Sequence, residues 1–425
     1  MRRLLCGYTL VICVVGVVLG AAKFGFSQVG QETVLYNFCA DTNCADGAAP
    51  HGKLTFDAAG NLYGTTQEGG ANCQGPGEGG CGTVFELTPS PVGGWTETVL
   101  YSFCVNSIEN CPDGAEPVAG LVLDQAGNLY GSSQFGGQYG IGTVFELSPP
   151  TNQGGAWTEA VLWSFGATGD GAYPVSDLIF DTFGRLYGTA YEGGQFGGGA
   201  VFRLTPEGGG QWSEEILYSF GPGTAGGFGP EAGVSFDSSG NLYGTTVKGG
   251  SSGLGLGVVY RLSPNPEPPW TETVLHRFEG EGNPYSTVSF DSVGNMYGTF
   301  TDPGGVFRIT PQGGYRQLLF GGPPGPSIPY AGVLVRGKTL YGTTAAGGAQ
   351  DLGSVFEIHG TTSTVLYSFG SQPGSTDGAI PESAVIGRGA SLYGTATGGG
   401  VNGGWGVVFQ ISSSELRTQP EGTGR

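Results

Sequence analysis

The stretch "GLVLDQAGNLYGSS" at residues 120–133 decides the fold, because most of the chain repeats it. It continues through "GTVFELS" at 142–148 to "EAVLWSF" at 159–165. Its centre is the tripeptide Leu-Tyr-Gly at 129–131, and equivalent tripeptides begin at Leu62, Leu186, Leu242, Met296, Leu340 and Leu392. Seven copies in constant order indicate one large repeat domain, rather than the two or three domains that 425 residues could form.

Each copy contains four predicted strands, named A to D in chain order. In the first copy they are residues 52–57, 61–66, 82–88 and 97–103, and each run is bounded by Gly, Pro, Asp or Asn, as is typical of short strands. Apolar residues on both faces of strands C and D favour sheets that stack face to face. The sequence therefore predicts an all-β fold, a seven-bladed β-propeller of four-stranded blades over residues 28–412.

The strand count also predicts how the ring closes. Seven A, B and C strands follow residue 52, but only six D strands follow them. The segment "TVLYNF" at 33–38 has the D pattern and stands alone before the first copy. We expect this N-terminal strand to pair beside "VVFQIS" at 407–412 and complete the last blade, because that pairing leaves no exposed sheet edge.

The recurring sequences "GNLYGTT", "GTVFELTP" and "TETVLYSF", at 60–66, 82–89 and 96–103 in the first copy, resemble the tandem repeats of bacterial choice-of-anchor GloVer proteins. The resemblance covers residues 32–412. It implies an exported β-propeller-like repeat protein, often with a C-terminal anchoring segment, without an established activity and without catalytic residues to transfer. The chain departs from that pattern at residues 413–425, which are polar and are predicted to form a disordered tail.

Residues 1–27 are predicted to be a signal peptide. Arg2 and Arg3 precede an uncharged apolar run from Leu4 to Ala22, as in secretory signals. The run is also long enough to be retained as an N-terminal membrane anchor. Both interpretations send the repeats across the membrane. We therefore expect a secreted or extracytoplasmic protein, at the cell surface or in the periplasm, without membrane contact beyond this segment.

Six cysteines follow this segment in three close pairs, namely Cys39 with Cys44, Cys73 with Cys81 and Cys104 with Cys111. Local pairs in an exported protein are typical of disulfides, whereas no two-residue spacing suggests zinc. In a propeller the D-to-A and B-to-C loops emerge on one face, and all three pairs fall in such loops. The disulfides are expected to brace this face, called the cysteine face below, either as a binding rim or as protection for the closing blade.

Composition and motifs disfavour several function classes. The formal net charge is −19 at pH 7, which disfavours binding to nucleic acid or to anionic lipid. The sequence has no phosphate-binding loop, nucleophile elbow, paired-histidine metal motif or EF-hand loop. Of the 3 histidines, only His51, at the start of a strand A near the predicted axis, is a candidate for chemistry.

Four acidic turns form the best-placed polar set on the cysteine face. They are "DGAAP", "DGAEP", "DGAYP" and "DGAIP", which begin at Asp46, Asp113, Asp170 and Asp377. One interpretation is an Asp-Gly turn with a proline that fixes the start of strand A. The alternative is that these carboxylates converge on the axial funnel and bind a divalent cation such as calcium, or a cationic group.

The B-to-C loops add charged and aromatic side chains to the same face. Glu68, Glu192 and Lys248 occupy equivalent positions, and Tyr139 and Tyr191 lie in loops of the same type. Aromatic rings can stack on a sugar while carboxylates accept bonds from its hydroxyl groups, so this set suits a glycan or a peptide. Asp170 and Glu192 could also serve as acid and base for glycoside cleavage.

Three functions are compatible with the sequence. The preferred one is an exported, non-enzymatic binding or scaffold propeller that acts on an extracellular glycan or protein. The alternative is a propeller lyase or glycoside-cleaving enzyme with carboxylates at the funnel mouth. A third is a purely structural surface repeat that associates with itself.

Overall fold

The computed structural model describes residues 30–413 and Leu416, without 74–79, 106–110, 153, 167, 223–225, 251–254, 281 and 323. This described part contains seven four-stranded antiparallel sheets, each with its strands in the order A-B-C-D. Two short 3-10 segments, Thr42–Cys44 and Pro373–Ser375, are the helical elements of this described part. The predicted all-β, seven-bladed propeller is confirmed.

The strand bounds show a short inner strand and longer outer strands. In blades 1 to 4, from A to D, the strands are Thr55–Phe56, Leu62–Thr66, Thr83–Pro89 and Trp95–Ser102; Val122–Leu123, Leu129–Ser133, Thr143–Ser148 and Thr158–Ser164; Ile179–Phe180, Leu186–Ala190, Ala200–Gly208 and Gln211–Ser219; Ser235–Phe236, Leu242–Thr246, Val258–Ser263 and Thr271–Arg277. In blades 5 to 7 they are Ser289–Phe290, Met296–Phe300, Gly305–Ile309 and Tyr315–Leu319; Leu334–Arg336, Thr339–Thr344, Ser354–His359 and Thr362–Ser368; Ile386–Arg388, Ser391–Ala396, Val407–Ser412 and Gln31–Asn37.

Three blades carry an extra two-residue ladder on the cysteine face. It joins the segment before strand A to the segment after strand B. The ladders pair Gly171–Ala172 with Glu192–Gly193, Gly227–Phe228 with Lys248–Gly249, and Pro326–Ser327 with Ala346–Gly347. The loops of this face are therefore tied to one another by backbone hydrogen bonds.

The N-terminal strand closes the ring as the strand count predicts. Gln31–Asn37 runs antiparallel to Val407–Ser412, with Gln31 opposite Ser412 and Asn37 opposite Val407. Blade 7 is thus built from both ends of the propeller sequence. This pairing covers the outer edge of Val407–Ser412, which would otherwise offer unpaired backbone groups to another chain.

The repeated Leu-Tyr-Gly tripeptide has a packing reason. A Cβ added to Gly64 of strand B would lie 2.5 Å from the Phe85 ring of the neighbouring strand C, and one added to Gly131 would lie 2.6 Å from the Phe145 ring. The phenylalanine crosses the strand at the glycine, so a larger residue there would displace a buried ring.

Aromatic pairs join each blade to the next. The phenylalanine that ends strand D packs against the aromatic residue of the following strand C, and the Phe38 and Phe85 centroids are 5.0 Å apart. The same contact recurs at the other six interfaces, in the pairs Phe103–Phe145, Phe165–Phe202, Phe220–Tyr260, Phe278–Phe307, Phe320–Phe356 and Phe369–Phe409. Each pair contributes about 0.5–1.5 kcal/mol beyond its burial, so the ring is held by seven similar contacts.

The three cysteine pairs are bonded as predicted, Cys39 to Cys44, Cys73 to Cys81 and Cys104 to Cys111. The predicted signal peptide at 1–27 lies outside the described residues, as do 414–415 and 417–425 of the predicted tail. Leu416 is buried in a cluster with Leu366 and Ile411. No helix among the described residues has the length and apolarity to cross a membrane.

Candidate functional site

A cavity of about 1030 Å³ lies along the propeller axis and is lined by residues from all seven inner strands. In each blade, the residue that follows the proline before strand A lies at the end of the cavity on the cysteine face. These seven residues, called the rim ring below, are His51, Val118, Val175, Glu231, Tyr285, Tyr330 and Glu382. The ring is apolar in blades 2 and 3 and carries polar or ionisable groups in the other five blades.

Hydrogen bonds between blades hold the backbone beneath the rim ring. Thr65 of strand B donates through Oγ1 to the carbonyl of Ala119, the residue after Val118 in the next blade, at 2.8 Å. The equivalent bond recurs in the other six blades, from Ser132 to Ser176, Thr189 to Ala232, Thr245 to Ser286, Thr299 to Ala331, Thr343 to Ser383 and Thr395 to Gly52. Because these groups are buried, the rim side chains project from a fixed scaffold.

His51 and Glu382 form an ion pair across the junction of blades 1 and 7. The distance from His51 Nε2 to Glu382 Oε2 is 3.2 Å, and His51 Nδ1 lies 3.3 Å from the Val118 carbonyl oxygen. A carbonyl only accepts, so Nδ1 carries a proton, and a second proton on Nε2 satisfies the carboxylate. Burial disfavours the imidazolium, but the hydrogen bond and charge of Glu382 outweigh it and raise the pKa of His51.

Glu231 is the rim carboxyl group without a direct partner. Burial raises its pKa to about 7, while the Lys248 ammonium group acts in the opposite direction. Among the described residues, no side chain or backbone group forms a hydrogen bond or ion pair with this carboxylate. Glu231 is therefore available to an incoming ligand.

Tyrosines occupy much of the remaining rim. The rings of Tyr285 and Tyr330 meet edge to face, with centroids 5.4 Å apart and planes at 79°. Tyr191 reaches the cavity from a B-to-C loop, and the Lys248 ammonium donates to its hydroxyl oxygen at 2.6 Å. Gln67 and Gln134 line the cavity from equivalent loop positions. The mouth thus combines aromatic rings, hydroxyl groups, amides and carboxyl groups.

The structure brings some of the predicted site residues to the cavity and places the others away from it. Tyr191 lines the cavity, Lys248 is bonded to it, and exposed Glu192 stands next to Tyr191 in the chain. Glu68 pairs through its backbone with Ala48 at the start of blade 1. Tyr139 is 54% exposed and its ring covers Gly166, away from the residues that line the cavity.

The four turn aspartates are buried in the loops between blades. Asp46 Oδ2 accepts hydrogen bonds from the Tyr36 hydroxyl at 2.9 Å and from the Ala40 amide at 2.8 Å. The preceding strand D supplies the equivalent donor in the three other turns, as Tyr101 to Asp113, Trp163 to Asp170 and Tyr367 to Asp377. None of the four lines the cavity. These hydrogen bonds agree with the interpretation of the aspartates as turn residues. A ligand role for them stays a prediction.

Each of these aspartates faces a glutamate from strand D of the following blade. Burial, and then the aspartate charge, raises the pKa of these glutamates to about 8 for Glu97 beside Asp46, Glu159 beside Asp113, Glu214 beside Asp170 and Glu32 beside Asp377. A buried oxygen of Glu159 and one of Asp113 have no partner among the described groups. Because their pKa values are raised to about 8, these four glutamates are expected to hold a proton at neutral pH.

Sequence reasoning missed Glu231, Tyr285, Tyr330 and Glu382. A usable signal was present, because the residue after the proline is His, Val, Glu or Tyr in different copies, whereas Leu or Val recurs three residues later in all seven copies. Within the described part of the chain, no group of three or more His, Cys, Asp or Glu could hold a metal ion.

Comparisons with known proteins agree with the architecture. Residues 73–305, more than half of the chain, match the sequence profile of the Gloeobacter/Verrucomicrobia repeat, which bears out the resemblance stated above. No curated protein is detectably similar in sequence.

Similar solved structures are also propellers of low sequence identity. Virginiamycin B lyase from Staphylococcus aureus, as an inactive variant with quinupristin, is 14% identical with a TM-score of 0.55, over 90% of this chain and 98% of that chain. The extracellular domain of a candidate one-component system from B. thetaiotaomicron is 15% identical with a TM-score of 0.53, over 90% of this chain and 42% of that chain. At such identities the likeness shows the fold alone.

Proposed function

The chain belongs to the Gloeobacter/Verrucomicrobia repeat family. We propose that it is an exported binding propeller that takes a glycan at the rim ring. Export is supported by the three disulfides, which persist in oxidising compartments.

The rim ring is the observation that carries the proposal. Tyr191, Tyr285 and Tyr330 lie around a cavity of about 1030 Å³, a size suited to several sugar units. Tyrosine rings present flat apolar faces to the apolar side of a pyranose, and their hydroxyl groups bond its oxygens. The carboxyl group of Glu231 and the amides of Gln67 and Gln134 add acceptors and donors for hydroxyl groups.

The scaffold beneath the ring favours binding without rearrangement. Seven interblade hydrogen bonds hold the inner strands, and the B-to-C loops are tied to the segments before strand A. A site whose backbone is already ordered loses little conformational entropy when it binds. The apolar arc of Val118 and Val175 offers a surface for the less polar side of the ligand.

A second candidate function is cleavage of the bound glycan. It is favoured by two groups at the same mouth, the His51–Glu382 pair and Glu231, whose pKa of about 7 allows it to hold or release a proton near neutrality. A protonated His51 can donate a proton while an ionised Glu231 accepts one. The lyase among the similar structures supplies only the architecture for this alternative.

The test is a binding screen on the purified mature protein with neutral oligosaccharides of glucose, xylose and N-acetylglucosamine, read as a shift in melting temperature and by calorimetry. A ligand at a hundred times its Kd stabilises by about 2.7 kcal/mol, which is readily detected. The double variant Tyr285→Ala/Tyr330→Ala should lose binding, whereas Tyr139→Ala, outside the cavity lining, should retain it.

Three results would contradict or redirect the proposal. Unchanged binding in the double variant places the site elsewhere. No response to any glycan, together with capture of a defined extracellular protein, favours a protein partner. Release of reducing ends that disappears in Glu231→Gln moves the protein to the enzymatic alternative.

A further inference from the structure

We propose that the rim ring contains a subsite for an organic cation, a protonated amine or a quaternary ammonium group, between the Glu231 carboxylate and the rings of Tyr285 and Tyr330. The inference rests on the proposed function, because it names a chemical group of the ligand that the same ring binds. An amine-bearing sugar unit satisfies both statements.

Glu231 is the carboxyl group of the cavity lining that has neither a hydrogen bond nor an ion pair with the described residues. Glu382 is paired with His51, and Asp177 Oδ1 accepts a hydrogen bond from the Gly120 amide at 2.7 Å. The Lys248 ammonium is held on the Tyr191 hydroxyl and forms no ion pair with Glu231 within 4.0 Å. A cation that reaches Glu231 therefore gains a carboxylate that no described protein group occupies.

In the rim ring, the two tyrosines lie between two glutamates. Glu231, Tyr285, Tyr330 and Glu382 are the rim residues of blades 4, 5, 6 and 7. Burial raises the pKa of Tyr285, and the Glu231 charge adds to the effect; burial likewise raises the pKa of Tyr330, followed by the charges of Glu382 and Glu231. Both tyrosines thus lie within the negative field of these carboxylates, where a cation is favoured.

The ring geometry suits a cation with an apolar shell. Because the Tyr285 and Tyr330 planes stand at 79°, the two rings form a corner instead of a flat stack. Aromatic faces attract ammonium groups through the ring quadrupole, and a nearby carboxylate adds direct charge attraction. A bare metal ion is a poor alternative, since the described residues place no three ligating side chains together.

The net charge of the whole protein acts in the same direction. A formal net charge of −19 at pH 7 attracts cations to the surface, and the cavity walls concentrate the field at the mouth. Lys53 lines the cavity as well, but it belongs to blade 1, whereas Glu231 belongs to blade 4.

The experiment uses choline and its neutral isostere, in which a tert-butyl group replaces trimethylammonium, in titration calorimetry on the mature protein. Choline should bind saturably, and the isostere about tenfold or more weakly, because it keeps the shape and loses the charge. Glu231→Gln should weaken choline binding and reduce this preference, since only the attraction of the tyrosine rings remains. Tyr285→Phe keeps the ring face and should bind choline, whereas Tyr285→Leu should not.

Glu267→Gln is the matched control, since Glu267 is an exposed acid between strands C and D of blade 4, the blade of Glu231, lies outside the cavity lining, and should leave choline binding unchanged. Equal binding of choline and its isostere, or wild-type choline affinity in Glu231→Gln, would overturn the subsite. If these results accompany glycan binding that depends on Tyr285 and Tyr330, the subsite fails and the proposed function stands. If glycans also fail to bind, both are rejected.

Discussion

The Tyr36 hydroxyl donates to the Asp46 carboxylate at 2.9 Å, and this contact links the strand that closes the ring to the loop that begins blade 1. Tyr101 with Asp113 and Tyr367 with Asp377 repeat the arrangement at other interfaces. Where the turn lacks an aspartate, the strand D residue has a different contact. Tyr218 donates to Glu272, and His276, which stands in place of the tyrosine, stacks on Tyr315. The acidic turns are therefore part of a coupled interblade contact.

Tyr36→Phe is expected to lower the free energy of unfolding by about 1–3 kcal/mol, because it removes a donor from a buried carboxylate. Asp46 is 0% exposed, so water cannot replace the lost hydroxyl without rearrangement. Urea unfolding of the variant and the wild type measures the loss. Tyr139→Phe removes a hydroxyl from an exposed ring and should change stability little; equal losses in the two variants would contradict the assignment.

Phe38→Ala is expected to destabilise the propeller by about 3–5 kcal/mol, since a large buried ring leaves a cavity. Phe38 is 0% exposed and joins the closing strand to Phe85 of blade 1. Deletion of residues 28–38 should have a larger effect, with blade 7 left open and the protein aggregating. Size-exclusion chromatography checks the deletion, and a soluble monomer with unchanged melting temperature would show that closure by this strand is dispensable.

The interblade carboxyl pairs predict that stability decreases as pH rises. The ordinary pKa of Glu97 is 4.5 and its pKa in the folded protein is raised to about 8 by burial and the charges of Asp46 and Asp41. Between these values the folded state binds more protons than the unfolded state, so the free energy of unfolding falls with pH and levels off above about 8. Glu32, Glu159 and Glu214 act in the same window.

Melting temperatures measured from pH 5 to pH 8 test this dependence. Glu97→Gln mimics the protonated side chain and should flatten the decrease, with most of the gain at the alkaline end. Exposed Glu192→Gln is the control and should leave the slope unchanged. A melting temperature that rises over this range in the wild type would contradict the raised pKa values of these glutamates.

Gly226 occupies the turn position that holds Asp46 in blade 1, and Glu272 fills the space beside it. A Cβ added to Gly226 would lie 2.7 Å from Glu272 Oε2. The contacted atoms are the mobile end of the Glu272 side chain, so Gly226→Ala should cost only about 0.5–1.5 kcal/mol, through the Tyr218–Glu272 hydrogen bond that a displaced carboxylate weakens. The cost should shrink in a Glu272→Ala background, which gives a measurable coupling in a double-mutant cycle.

Gly321→Ala is the control for this cycle, because an added Cβ there meets nothing within 4 Å. It should be close to neutral by the same denaturation assay. Additive effects of Gly226→Ala and Glu272→Ala would show that the two residues do not compete for one space.

Much of the architecture could be predicted because it depends on short-range patterns. The constant Leu-Tyr-Gly tripeptide reports a strand whose glycine lies under a phenylalanine, and the D pattern at 33–38 accounts for the missing strand. The local cysteine pairs close small loops, so their partners follow from spacing. Each of these features depends on residues within one blade, or on a count of blades.

The candidate site was only partly predictable, because it is assembled across blades. Strand A is two or three residues long, too short for its periodicity to tell which side chains face the axis. The four turn aspartates lie on the cysteine face as expected, but tyrosine and tryptophan donors from the preceding blade hold them in the loops. The rim ring of Glu231, Tyr285, Tyr330 and Glu382 emerges only when blades 4 to 7 stand side by side.

The sequence by itself determined the repeat, the number and order of strands, the closing strand and the disulfide pairs, since local hydrophobic patterns and turn residues encode them directly. Only the tertiary structure decided which residues surround the cavity and which carboxyl groups have a raised pKa. Those properties depend on burial and on the charges of neighbouring blades, as for Glu97 beside Asp46 and for Glu231 at the rim. Such neighbours are distant in the chain and meet only when the ring closes.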